Sequence, residues 1–151
     1  MKSTITFTAL AAVAAVAFAK PLEPRDAAQV AHLTFHAAPV SYDLSVPADG
    51  TVVETNSDLN INLIDAPDYN ALGQCTFTFD SITQPALALH ITESGLQQIA
   101  VGPPSVLKSV SCLGACVPTY GACYGPDGQY VGPCCTGFCA ASRCRPWDLS
   151  V

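Results

Sequence analysis

The sequence predicts a mainly β protein, a small antiparallel β-sandwich or Greek-key barrel followed by a disulfide-stapled C-terminal module. Three observations carry this reading. Residues 29–111 alternate apolar and polar with period two. Composition changes abruptly after Ser111, with seven of the eight cysteines falling between Cys112 and Cys144. No stretch shows a convincing helical period.

In chain order, "MKSTITFTALAAVAAVAFA" opens with one charge at Lys2 and an apolar run, then closes on the A-x-A site "AFA" at 17–19. This pattern predicts a signal peptide over 1–19, cut after Ala19. The rival, a membrane anchor, needs roughly 20 apolar residues, more than this run supplies. Residues 20–25, within "KPLEPRD", read equally as a pro-segment cut after Arg25 or as a leader that stays attached. The expected product is secreted and extracellular, apoplastic if plant-associated, with no stable membrane insertion.

From Asp26 to Ser111 nine acidic residues face one lysine, a balance of −8, whereas Cys112 to Val151 balances to zero. With no basic patch, nucleic acid is excluded as a partner class. Within the acidic β domain, 26–111, the strand candidates follow one another. Ala31, Leu33 and Phe35 point one way in "AHLTFHA", and Val40, Tyr42, Leu44 and Val46 do so in "VSYDLSV". Leu59, Ile61 and Leu63, then Cys75, Phe77 and Phe79, then Leu87, Leu89 and Ile91 repeat the pattern. "LQQIAV" and "VLKSVS" are shorter candidates. Turn signals separate them: "PADG", "DAPDYNALG", "ESG" and "GPP".

The cysteine-rich module, 112–151, is too short to bury a core unaided and requires staples. In an oxidising setting eight cysteines, Cys75, Cys112, Cys116, Cys123, Cys134, Cys135, Cys139 and Cys144, read as disulfides. Zinc is disfavoured by the adjacent pair and the lack of any C-x2-C spacing. A nucleophilic thiol would need an odd cysteine and a nearby base, and the module has no histidine.

From Cys116 the spacing C-x6-C-x10-CC-x3-C-x4-C, with "CCTGFC" at its centre, resembles the inhibitor cystine knot (knottin) of small toxins and inhibitors. The resemblance covers residues 116–144. It implies the pairs Cys116–Cys135, Cys123–Cys139 and Cys134–Cys144, leaving Cys75 and Cys112 to tie module to domain. The whole layout also resembles the small secreted cysteine-rich proteins of filamentous fungi, many of them effector candidates.

Catalytic signals are weak. His32 and His36 share one strand face about 13 Å apart, too far to ligate one ion together; His90 stands elsewhere. Asp49, Asp65 and Asp68 are explained by turn formation as well as by calcium binding. No G-x-S-x-G elbow, phosphate loop or N-x-[ST] occurs. A non-enzyme without cofactor or metal is expected. Contact chemistry concentrates in Tyr120, Tyr124, Tyr130, Phe138 and Trp147 beside Arg143 and Arg145. The expected protein is a monomer that binds or inhibits an extracellular host or competitor protein. The alternative is a cell-wall glycan, chitin or plant glucan, stacked on those rings. For any one of these rings the rival role is structural, covering the knot or, for Trp147, clamping the module onto the β domain.

Overall fold

The structure, a computed structural model, describes residues 28–147. The signal peptide and pro-segment readings, at 1–19 and 20–25, lie outside the described residues. The chain forms β1 (Val30–Ala37), β2 (Val40–Pro47), β3 (Asp49–Glu54), β4 (Asn60–Asp65), a short helix α1 (Ala71–Gln74), β5 (Cys75–Phe79), β6 (Ala86–Ile91) and β7 (Gln97–Leu113). Two short strands of the cysteine module complete it, β8 (Phe138–Ala140) and β9 (Arg143–Arg145).

The fold is mainly β, an antiparallel sheet curled over one core, with knottin-like disulfides at its C-terminal end. Its organiser is β7, 17 residues long. The first half of β7 lies between β4 and β6, and β1 and β2 extend the sheet beyond β4. Its second half lies between β3 and β5. Leu33, Phe35, Ile61, Ile64 and Ile99 from the first group meet Phe77, Phe79, Leu107 and Val110 from the second in one buried cluster. Burying a side chain of this size is worth about 1.5–3 kcal/mol, so the inward rows drive the curl.

Three details differ from the sequence reading. "LQQIAV" and "VLKSVS" are halves of one strand, because "GPP" at 102–104 bulges out of the ladder without ending it. The bulge puts Ser105 opposite Ile61 and Ala100 opposite Leu63. This slip changes the phase of β4, so Ile61 and Ile64 are buried while Leu63, expected to share the face of Ile61, is only half-buried. β3 was not expected, since "DGTVVE" does not alternate and Val52 stays 60% exposed; its pairing with Ser109–Leu113 makes it a strand. Among the described residues the single lysine, Lys108, bonds Asp58 and Asp80 at 3.2 and 3.3 Å. The two carboxylates hold its ammonium above the usual lysine range.

Candidate functional site

The cysteine module is built by its sulfurs. Cys116–Cys135, Cys123–Cys139 and Cys134–Cys144 are bonded, the pairs that the knot resemblance implies, and Cys75–Cys112 joins facing positions of β5 and β7. The sulfurs of Cys123, Cys134 and Cys144 lie within 4.8 Å of one another, the density of a metal centre. Each is already bonded to sulfur, so none offers the thiolate a metal needs. Cys139 alone among the eight is exposed.

The module is seated on the β domain rather than tethered beside it. Cys116 and Cys135 belong to the main core cluster. The Gln29 side-chain oxygen accepts from the Cys116 amide at 2.9 Å, and the Tyr69 hydroxyl donates to the Gly114 carbonyl at 2.6 Å. The Gln74 amide donates to the Ala115 carbonyl at 3.2 Å. Trp147 is half-buried against Phe138, ring centroids 5.4 Å apart, and its indole N–H donates to Gln97 Oε1 at 3.4 Å. Gly95 makes room for it, because a Cβ there would strike the Trp147 carbonyl. Trp147 is thus placed in the clamping position.

The remaining aromatic candidates face solvent. Between Cys123 and Cys134 the chain makes a tight hairpin: Tyr124 bridges Tyr130, the Gly125 amide donates to the Gln129 carbonyl at 2.9 Å, and the Val131 amide to the Cys123 carbonyl at 2.9 Å. Gly128, at φ +77°, occupies the left-handed position that the turn requires. Tyr124 and Tyr130 contact edge to face, centroids 5.3 Å apart and planes at 61°, both exposed. Exposed Tyr120 sits in the left-handed region (φ +67°), where the Arg143 guanidinium donates to its carbonyl at 2.9 Å. Ala141 and Ser142 also have positive φ. They turn β8 into β9 and place the Ser142 carbonyl to accept from the Cys123 amide at 3.1 Å. Two residues in this costly region, Ala141 and Ser142, border a cleft of about 390 Å³ that Tyr124, Pro126 and Arg143 also line. Arg145 is exposed on β9 opposite Phe138. No carboxylate of the described residues lies within ion-pair distance of Arg143 or Arg145.

Sequence reasoning missed a second polar feature, on the outer face of β1. His32 Nδ1 lies 2.5 Å from Asp68 Oδ2, and His36 Nε2 lies 2.9 Å from Asp65 Oδ2. Asp65 also accepts from Gln98 at 2.7 Å. The pairs are 36 and 29 residues apart in sequence, so no local motif announces them. Ser45 is opposite His32 in register, but no hydrogen bond links them, and a Ser-His-Asp relay lacks its first contact.

The chain is thus a cysteine-rich, disulfide-bonded, mainly β protein. No protein family matches the chain, and no curated protein or solved structure shows significant similarity to it.

Proposed function

We propose that the protein is secreted, effector-like and non-enzymatic, and that it binds an extracellular host or competitor protein through the cysteine module. Inhibition of a hydrolase is the most concrete form of this activity. The observation that carries the reading is the 124–131 hairpin. It presents Tyr124, Tyr130 and Val131 to solvent from a backbone closed by its own hydrogen bonds and held between two disulfides. Such a loop loses little conformational freedom when a partner closes over it, and exposed tyrosines beside arginine are the side chains that dominate binding energy. The 61° angle between the tyrosine rings supports a protein partner over a flat glucan chain, which favours coplanar rings. Four disulfides, and no helix among the described residues long and apolar enough to cross a membrane, are compatible with an extracellular protein.

The test is affinity capture from extracellular fluid, with oxidised protein as bait and reduced, alkylated protein as control. Replacing residues 125–129 by Gly/Ser and both tyrosines by alanine should weaken capture of the recovered protein at least tenfold, about 1.4 kcal/mol. Undiminished capture by a variant whose four disulfides map correctly overturns the reading. Retention on insoluble chitin or cellulose, with no protein captured, replaces it with the glycan reading.

A further inference from the structure

In the seven-stranded sheet four strands have an unpaired edge, and three of them carry devices that discourage pairing. β2 has Asp43 at mid-strand and ends in Pro47. β3 is irregular between Asp49 and Val52 and carries an acidic residue at each end. β5 is irregular between Thr78 and Phe79 and is crosslinked to β7 at Cys75. β6, "ALALHI", has none of these: six consecutive residues pair with β7 in unbroken register, with no Asp, Glu, Lys, Arg or Pro.

The side chains of β6 are also under-covered. Leu87, Leu89 and Ile91 share one face, and Leu87 packs against the main core, yet Leu89 in the same row is 43% exposed. A regular, uncharged, half-covered edge on a chain of net charge −6 is a strip where two acidic copies can approach without opposing like charges. The strip is also self-complementary. Antiparallel pairing about a two-fold axis keeps each row on its own face when the axis passes through a residue. With the axis at Leu89, the most exposed member of the row, Leu89 meets Leu89 of the second copy and Leu87 meets Ile91 on either side. The opposite face then pairs Ala88 with His90.

We infer that β6 is a homotypic docking edge: two copies of this chain join β6 to β6 in an antiparallel pair centred on Leu89, making one continuous sheet. This departs from the monomer expected from sequence and is independent of the hairpin's partner. Two six-residue edges fall at or below the roughly 1,200 Å² that marks weak, transient contacts, so the dimer forms at high protein concentration.

Sedimentation equilibrium of the oxidised protein from ~10 μM to ~1 mM spans the affinities of such contacts and tests this directly. Wild type should shift from monomer to dimer across that range. Leu89→Lys and Leu89→Asp, each with native disulfides and circular dichroism, should each remain monomeric. Mixing the two variants should restore the dimer, since opposite charges then face each other at the axis. Val52→Lys, on the exposed face of β3, should dimerise like wild type. A wild type that stays monomeric throughout overturns the inference, as does a dimer that survives both single variants or a mixture that stays monomeric. If β6 amides gain hydrogen-exchange protection only when a foreign protein is added to monomeric chain, the edge takes a different strand and the homotypic pairing is wrong.

Discussion

At Tyr69 a fully buried ring sits in the β core while its hydroxyl reaches the Gly114 carbonyl, where β7 hands over to the knot. Tyr69→Phe keeps the packing and deletes that bond, so it should cost about 1 kcal/mol in chemical denaturation; an unchanged midpoint would show the bond to be idle. Burial raises this phenol above its ordinary value. Folding therefore favours the neutral form, and the contribution is complete below pH ~10, then lost as pH rises through the folded-state value. Alkaline unfolding curves should fall less steeply for Tyr69→Phe than for wild type, with part of the slope retained because burial raises Tyr42 as well. At this scale the cysteines were legible in the sequence, since spacing and compartment constrain them. Tyr69 was not, because "DAPDYNALG" reads as a turn, while its ring is buried by core residues from remote strands and its hydroxyl is held by the carbonyl of Gly114.

Among the elements, the β8–β9 hairpin depends on Gly137. A Cβ there would overlap the Arg145 carbonyl, and its φ of +80° lies in the left-handed region. Gly137→Ala must therefore push β8 off β9 at the level of the Cys139–Cys144 pairing. Oxidative refolding followed by disulfide mapping should give a markedly lower yield of the native four-bond species than wild type; an equal yield would mean that the hairpin relaxes around the methyl group. Strands that alternate cleanly, β1, β2, β5 and β6, were legible one by one. The joining of two candidates into β7 and the existence of β3 were not. Both depend on neighbours supplied from distant sequence, β4 and β6 on one stretch of β7 and β5 along the other.

Over the whole molecule, the orientation of the knot on the β domain rests on Gln29, Tyr69, Gln74 and the Trp147 clamp. Trp147 is the chain's one tryptophan, so its fluorescence reports this docking without labels. Gly95→Ala places a methyl group against the Trp147 carbonyl at a position of φ +80°. The indole should leave Gln97, with emission moving to longer wavelength and greater acrylamide quenching while all four disulfides remain. Emission identical to wild type would show that the clamp is not seated at Gly95.

Local pattern is enough for the class of this protein: period-two alternation requires half-buried strands, and a short, cysteine-dense module poor in aliphatic residues requires crosslinks to fold. It also named the aromatic and arginine residues of the module. Their separate tasks depend on the folded molecule, which turns Trp147 onto Gln97 as a clamp and leaves Tyr120, Tyr124 and Tyr130 outside. Range separates the two. Alternation and cysteine spacing are local properties of the chain, whereas exposure at a given ring is settled by which remote surface packs against it, and that surface exists only once the sheet has curled and the knot has seated.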